Sequence, residues 1–329
     1  MYGMQYFENK TVLITGAAGF LGSHLVDAVL AAGGKVIGID NLITGAKKNL
    51  SHLENNAAFT FIEADVITLP SSYLPVDTKP DCVLHFASPA SPPRYQAHPV
   101  ETYLVNSVAT HNLLQYLKKV NPEGRFLFAG TSEMYGDPQQ HPQKENYWGN
   151  VNPNGVRSCY DESKRLGETI CGVHERDFQM DVRIVRIFNT YGPRMDMNDG
   201  RVIPNFIKEA LNGQKISVYG DGSQTRSYCY VDDLVAGILA LVTGNDLKGK
   251  TVNIGNPEER TILETAQKVW ELVHPGGVPE LVFSPLPLDD PLRRQPDISL
   301  AKKLLQWQPK VSFEDGLRKT LEYFQTPTL

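Results

Sequence analysis

The sequence has few cysteines and no histidine cluster, and each shortage excludes a kind of site. Its four cysteines, spread over 329 residues, form no C-x-x-C pair. The usual zinc spacings are therefore missing, and free thiols in a reducing compartment are expected. The eight histidines form no H-E-x-x-H or similar motif. The sequence thus predicts no metal site.

Excess basic charge and long apolar runs are also missing. A formal net charge of -5 gives no basic surface for nucleic acid, although a few arginines and helix N-termini can still bind an anionic nucleotide. No stretch approaches the roughly 18 apolar residues of a membrane span, and no signal-peptide core precedes the first apolar run. We therefore expect a cytoplasmic protein without nucleic-acid or membrane partners.

What the first half does contain is a regular alternation of β-rich runs with helical stretches such as 21–32 and 100–120. This alternation predicts an α/β fold with a doubly wound parallel sheet covered on both faces. The predicted strands are 11–15, 35–39, 59–63, 81–86, 125–129 and 181–187.

After about residue 189 the pattern changes to short strands, glycine, proline and isolated helices. We predict a nucleotide-binding domain over 1–189 and a smaller C-terminal α/β substrate-binding portion over 190–329, with segments near 225–255 returning to the first domain. The predicted helices of this part are 202–211, 231–242, 261–274 and 312–324.

A glycine-rich turn joins the first strand directly to a helix. Gly16 permits a tight turn, Gly19 lets a pyrophosphate approach backbone N–H groups at the helix N-terminus, and Gly22 lets the helix pack closely on the strand. The G-x-x-G-x-x-G spacing resembles the extended members of the short-chain dehydrogenase/reductase superfamily, whose fold is Rossmann-like.

Asp40, at the end of the second strand, predicts the choice of cofactor. A carboxylate there accepts hydrogen bonds from the adenosine ribose and repels a 2′-phosphate, so NAD is favoured over NADP. Asp65, after the third strand, is a candidate adenine contact. The remaining predicted cofactor residues are Phe20, Leu21, Asn41, Val66 and Ala87.

Tyr160 and Lys164 form a Y-x-x-x-K pair at the start of a helix predicted over 163–172. Residues four apart share a helical face, and a nearby ammonium favours the phenolate of a tyrosine. Such a tyrosine can remove a hydroxyl proton while a hydride leaves the same carbon. A partner segment containing Ser132 and Glu133 follows the fifth strand, where ligands bind in such sheets.

Several runs, together with the Y-x-x-x-K pair, resemble the UDP-glucuronate decarboxylase (UDP-xylose synthase) family over essentially the whole chain. The Ser132–Glu133 pair is typical of these decarboxylases, whereas 4,6-dehydratases carry Asp-Glu and 4-epimerases small residues at the position of Glu133. The matching runs are 87–93, 131–137, 147–149, 151–153, 186–195, 197–202, 222–226, 253–259 and 289–297.

The resemblance implies a reaction and roles for its residues. Tyr160 would take the 4-hydroxyl proton of the sugar while NAD accepts the hydride, the resulting 4-keto acid would lose CO2, and the hydride would return. Glu133 and Arg294 would serve decarboxylation and reprotonation, with Ser132 orienting the substrate. Thr190 would line the nicotinamide side. The implied substrate contacts are Ser88, Asn189, Arg201, Asn205, Tyr219, Gln224, Arg226 and Arg294.

One position departs from the family pattern, because many of these decarboxylases have a lysine where Leu104 stands. Two alternatives therefore stay open beside the decarboxylase: a 4-epimerase acting on a nucleotide-linked uronic acid, and a non-catalytic protein that binds NAD or a nucleotide sugar. The intact set of Tyr160, Lys164 and Glu133 argues against the second.

The helices around 100–120 and 163–172 carry more apolar residues than one sheet face needs. We predict that they pair with a second copy in a homodimer, as the resemblance also implies. The predicted interface residues are Leu113, Leu114, Leu117, Leu166, Ile170 and Val173.

Overall fold

The computed structural model describes residues 4–326 and contains one large parallel sheet with helices on both faces. The strands are β1 (Thr11–Thr15), β2 (Lys35–Asp40), β3 (Phe59–Glu63), β4 (Cys82–His85), β5 (Arg125–Thr131), β6 (Asp181–Ile187), β7 (Thr190–Tyr191), β8 (Ile216–Tyr219), β9 (Thr225–Ser227), β10 (Cys229–Tyr230), β11 (Thr251–Ile254), β12 (Glu259–Thr261) and β13 (Leu281–Ser284). The α-helices are α1 (Phe20–Ala31), α2 (Pro92–Ala97), α3 (Pro99–Leu104), α4 (Thr110–Val120), α5 (Ser158–Phe178), α6 (Val202–Leu211), α7 (Val231–Thr243), α8 (Ile262–Val273), α9 (Ser299–Leu305) and α10 (Phe313–Gln325).

The sheet has the order β11-β6-β5-β4-β1-β2-β3, and every neighbouring pair is parallel. This confirms the predicted doubly wound α/β fold. The chain leaves β1 towards β2 on one side and reaches β4 on the other, so a crevice opens between β1 and β4 at the carboxyl ends of the strands.

Alternating residues of the central strands bury both faces of the sheet. Val12 and Ile14 of β1 pack in a core shared with α1 and α7. Leu13, between them, packs with Phe126 and Phe128 against α4 and α5. Burial on both faces is the reason for the nearly continuous apolar runs in these strands.

Two helix predictions need correction. α5 begins at Ser158 and ends at Phe178, so it is longer than the predicted 163–172 and already contains Tyr160. The predicted helix 100–120 is interrupted at Val105–Ala109 by a π-helical turn, where Asn106 turns inward.

The C-terminal part contains short strand pairs, and some of its segments contact the large sheet. β11 extends the sheet beside β6, while α7 packs against α1. β8 pairs with β13, and α6 packs against α8. The domain boundary at residue 189 stays a prediction.

Three of the six residues predicted for the dimer interface were assigned wrongly. Leu113, Leu114 and Leu117 are completely buried against the chain's own sheet, since the inner side of α4 covers Phe126 and Phe128. They are therefore not available to a second copy. In the part of the chain that the structure describes, no helix has both the length and the apolarity to cross a membrane.

Candidate active site

A cavity of about 990 Å³ lies at the crevice beyond the carboxyl ends of the strands. It extends from the glycine-rich turn after β1, past the end of β5, to α6 and the loop after β8. Every predicted site residue except Arg294 lines it. Residues distant in sequence are thus brought to one continuous surface, which is large enough for a dinucleotide beside a second ligand.

The glycine-rich turn is shaped for a close backbone approach. Gly16 has φ +73°, and a Cβ there would lie 2.8 Å from the backbone of Phe86 and Ala87. A Cβ on Gly22 would lie 1.9 Å from the Gly16 carbonyl oxygen, which fixes how closely α1 approaches β1. Gly19 caps α1 and faces the cavity. The turn therefore presents bare N–H groups at a helix N-terminus, which suits a pyrophosphate.

Asp40 ends β2 at the edge of the cavity. Its carboxylate accepts hydrogen bonds from the backbone N–H groups of Ala18 (3.0 Å) and Leu42 (2.8 Å), so its position is fixed. Burial raises its pKa despite these bonds. Asp65 is held by the Ile67 N–H at 2.9 Å, and Asn41 reaches its other oxygen at 3.3 Å. Together with the turn, these carboxylates fit the adenosine half of NAD.

Asp40→Ala is expected to weaken NAD binding at least tenfold, about 1.4 kcal/mol, because the acceptor for the ribose is lost. The change also leaves the Ala18 and Leu42 N–H groups without their acceptor, at about 1–3 kcal/mol for each buried group. Calorimetric titration with NAD and a melting curve separate the two effects. Glu63→Ala is the matched control, since Glu63 ends the neighbouring strand and pairs with exposed Lys47. Equal NAD affinity in both variants would refute the assignment.

Tyr160 and Lys164 lie in the first turns of α5, beneath the end of β5. The Tyr160 ring stacks on Tyr95 with centroids 5.0 Å apart and planes 4° apart. Thr131 lies beside the phenol, and a hydrogen bond from its side chain favours the phenolate. Lys164 donates to the Ala129 carbonyl at 2.7 Å, and its Nζ is 5.8 Å from the Tyr160 ring centroid. The two side chains are adjacent, as the helical spacing predicts.

The expected lowering of the Tyr160 pKa is not seen in the protein alone. Burial raises the pKa of Tyr160 to about 12, which outweighs the Thr131 hydrogen bond. Burial also lowers the pKa of Lys164 to about 7. The lysine points to a carbonyl rather than to the phenol oxygen. The phenolate therefore needs more positive charge than Lys164 provides in this arrangement.

Glu133 lies on the short 3-10 turn after β5 and lines the cavity. Its Oε2 accepts from Nη2 of Arg157 and, at 3.3 Å, from Nη2 of Arg294. Burial alone would raise its pKa, but Arg294 and Arg157 hold it well below the usual range. Glu133 is consequently a carboxylate at neutral pH.

Arg294 does not lie where the resemblance implies. It is 1% exposed and stands behind the cavity wall, where it donates to the Ser132 carbonyl and to Glu133. It is not among the residues that line the cavity, because the guanidinium is committed to these two acceptors. In this arrangement Arg294 orients the turn that carries Ser132 and Glu133.

The substrate side of the cavity carries two further arginines, each paired with a carboxylate. Arg201 binds Asp199, and Nη2 of Arg226 lies 2.7 Å from Asp290. The other predicted contacts there also hold the local backbone: Gln224 donates to the Tyr219 carbonyl, Asn205 to Gly200 and Thr190 to Phe188.

Sequence reasoning missed four side chains of the site: Tyr95, Arg157, Asp161 and Asp290. Arg157 lines the cavity, bonds to Asp290 at 2.8 Å and caps α5. Its position three residues before Tyr160, at the start of the helix, was the one available signal. Asp161 follows Tyr160 directly in the chain, whereas Tyr95 and Asp290 come from separate segments that only the fold brings together.

Metal ligation finds no support in the described range. Among residues 4–326, no group of three or more histidine, cysteine, aspartate or glutamate side chains is placed to hold an ion.

Comparison with known proteins agrees with this geometry. Residues 12–255 match the model of the NAD dependent epimerase/dehydratase family. A UDP-glucuronic acid decarboxylase 1 from Xenopus tropicalis is 48% identical over 97% of this chain and 73% of its own length. A UDP-glucuronic acid decarboxylase 3 from Arabidopsis thaliana is 46% identical over 96% of this chain and 90% of its own length.

Solved structures show the same fold. An epimerase from Methanothermobacter thermautotrophicus superposes with a TM-score of 0.88 at 29% identity, covering 98% of this chain and 94% of that one. A UDP-glucuronic acid 4-epimerase from Bacillus cereus, in complex with UDP-glucuronic acid and NAD, has a TM-score of 0.84 at 30% identity over 96% and 99% of the two chains. NAD is therefore the cofactor. The chain belongs to the NAD dependent epimerase/dehydratase family and, within it, to the UDP-glucuronic acid decarboxylases.

Proposed function

We propose that this enzyme converts UDP-glucuronate to UDP-xylose with release of CO2. The observation that carries the proposal is the unit of Glu133 with Arg157 and Arg294 beside Tyr160, in a cavity whose other end fits NAD. NAD, when bound, accepts a hydride from the sugar and returns it, so that it is not consumed.

Tyr160 is the base of the first step. Its phenol faces the cavity, and it removes the proton of the 4-hydroxyl as the hydride leaves C4. The stacked Tyr95 fixes the plane of the phenol ring. Lys164, packed beside the ring, contributes part of the positive charge that the phenolate needs.

Loss of CO2 follows from the chemistry of the 4-keto acid. The C5–C6 bond breaks, and its electron pair passes into an enolate with the negative charge on the C4 oxygen. Positive groups aimed at this charge lower the barrier. Arg157 on the cavity wall provides such a group, and Arg294 behind it holds Ser132 and Glu133 in place.

The C-terminal portion binds the nucleotide part of the substrate in this proposal. Arg201 and Arg226 line the cavity, and arginine forks suit a diphosphate. Leu104, where many relatives have lysine, is not among the residues that line the cavity.

The deciding experiment is incubation with UDP-glucuronate, with CO2 and the sugar nucleotide measured together. A decarboxylase gives equal amounts of CO2 and UDP-pentose without net NADH, and NAD stays bound through turnover. The second candidate is a 4-epimerase, favoured by the Bacillus cereus enzyme that was solved with UDP-glucuronic acid. An epimerase releases no CO2 and forms UDP-galacturonate, which would overturn the proposal.

We also propose that the enzyme is a homodimer in the cytoplasm. The apolar residues that the structure leaves exposed on α3, the π-helical turn and α5 are Val100, Tyr103, Val108 and Leu166. They recur at helical spacing on neighbouring helices, which supports burial against a second copy. The cysteines form no disulfide, which supports a reducing compartment.

Leu166→Arg is expected to turn the dimer into a monomer, because Leu166 is 48% exposed on this face and an unpaired charge would be buried at the contact. Sedimentation velocity at micromolar concentration measures the change. Val278→Arg is the control, as Val278 is 77% exposed in another part of the molecule. A monomeric wild-type protein, or a dimeric Leu166→Arg variant, would contradict the assignment.

A further inference from the structure

The proposed reaction consumes one proton for each CO2 released. After the C5–C6 bond breaks, the enolate must take up a proton at C5 to become the 4-keto pentose. Tyr160 cannot supply this proton, since it must return its own to the 4-hydroxyl when the hydride comes back. A separate group must therefore hold a proton and be reloaded from solvent. This inference rests on the proposed function.

Glu133, the carboxyl group on the cavity wall, cannot store the proton by itself. Arg157 and Arg294 both donate to its Oε2, and they hold it as a carboxylate. It can pass a proton on, but a second group must provide it.

Asp161 contacts the same arginine as Glu133. Its Oδ2 lies 3.9 Å from Nε of Arg157. It is 6% exposed and does not line the cavity. Its Oδ1 is buried without a hydrogen-bond partner within residues 4–326. Arg157 donates hydrogen bonds from Nη1 to Asp290 and from Nη2 to Glu133. Of its three neighbouring carboxyl groups, it therefore stabilises the negative charge of Asp161 least. A buried carboxyl group in this position favours its neutral form.

Asp161 is surrounded by charged and titratable groups from every neighbouring element. They are Tyr95 of α2, Glu133 of the turn after β5, Arg157, Cys159, Tyr160 and Glu162 at the start of α5, and Arg294 of the loop before α9. Burial and the negative charge of Glu133 raise the pKa of Asp161, and this outweighs the opposing effect of Arg157 and Arg294.

Three more polar atoms of this cluster are buried without partners: Oη of Tyr95, Nε of Arg157 and Nε of Arg294. Unpaired polar atoms are rare in folded proteins, so this group leaves hydrogen-bonding capacity that a proton or a water molecule can use.

We propose that Asp161 is a positioning residue that stores, as a neutral carboxylic acid behind Glu133, the proton that the reaction consumes at C5. Asp161 and Glu133 both contact Arg157, and the proton passes from Asp161 by way of Glu133 to C5 of the enolate in one concerted step, so that Glu133 is a carboxylate before and after it. Asp161 is left as a carboxylate and takes a new proton from solvent. Charge and atoms balance over the cycle, because one carboxylate and one proton give one C–H bond and CO2.

The direction of the pH dependence follows. The acting form is the protonated one and its pKa is raised, so UDP-pentose formation is complete below that pKa and falls as the pH rises through it. Asp161→Asn cannot carry the proton. This variant is expected to form UDP-pentose about 10²-fold more slowly and without the fall in rate at high pH. Initial NADH formation should keep its wild-type rate and pH profile.

The test compares wild type, Asp161→Asn and Asp177→Asn by single-turnover NADH absorbance and by UDP-pentose formation across pH. Asp177 is the matched control, because it is an exposed aspartate near the other end of the same helix. Infrared spectroscopy of the wild type supplies a readout independent of activity: a protonated carboxyl band that is missing in Asp161→Asn.

Wild-type pentose formation in Asp161→Asn, or no protonated carboxyl band in the wild type, would overturn the role of Asp161. If a folded Asp161→Asn variant lost initial NADH formation, Asp161 would be shown to have only a structural role in holding Tyr160. This result would also overturn the proposed role in proton storage. Failure of the proposed function looks different, because the wild type itself would then release no CO2.

Discussion

Tyr160→Phe is expected to abolish NADH formation and CO2 release together, with a loss of about 10²–10⁴-fold. The phenol oxygen is the group that takes the 4-hydroxyl proton, and every later step depends on the 4-keto acid. Phenylalanine keeps the ring that stacks on Tyr95, so the packing beneath the cavity is preserved. Stopped-flow absorbance with UDP-glucuronate measures the first step, and trapped CO2 measures the second.

Tyr116→Phe is the control for this change. Its hydroxyl donates to the Thr78 carbonyl at 2.7 Å, away from the cavity, so the variant loses a hydrogen bond but no catalytic group. It should keep wild-type kinetics. A Tyr160→Phe enzyme that still releases CO2 at the wild-type rate would show that another group starts the reaction.

Arg294→Ala should separate the two halves of the reaction. We expect NADH to form, because Tyr160 and Lys164 are unchanged, while CO2 release falls about 10²–10³-fold. The physical reason differs from a direct substrate contact. Removing the guanidinium leaves Glu133 with Arg157 alone and the buried Ser132 carbonyl without its donor, so the turn beside C5 loses its position.

The unpaired carbonyl costs about 1–3 kcal/mol of stability, so a melting curve accompanies the kinetics. Arg294→Lys should fall between wild type and alanine, because one ammonium cannot reproduce the fork that joins Ser132 to Glu133. Arg293→Ala is the matched control, since its side chain is exposed. Unchanged CO2 release, or loss of NADH formation, in Arg294→Ala would show that Arg294 does not act on decarboxylation.

Local sequence patterns were sufficient for the strands of the large sheet, the glycine-rich turn and the pair of Tyr160 and Lys164. Hydrophobic periodicity predicted six of the strands, because each is short, apolar and bounded by turn residues. Gly16, Gly19 and Gly22 were recognisable from their spacing, since the constraint on each acts within one strand-turn-helix unit. The same holds for Tyr160 and Lys164, whose proximity is a property of one helix.

The partners of apolar helix faces were harder to predict, because hydrophobic periodicity does not show what covers such a face. Leu113 and Leu117 looked available to a second copy, and the sheet covers them instead. The start of α5 was also placed too late, since Arg157 and Tyr160 carry no strong helix signal of their own.

The sequence by itself determined the parallel sheet, the NAD end of the cavity and the family chemistry, because these depend on contacts within a few residues or on motifs in fixed order. The tertiary structure alone decided which charges meet. Arg294 lies 161 residues from Glu133 in the chain, and Arg157 lies 133 from Asp290, so neither pairing has a local signal. The approach of Arg294 and Arg157 keeps Glu133 a carboxylate against the effect of its burial, whereas burial makes its neighbour Asp161 favour the neutral acid, and both effects exist only in the folded state.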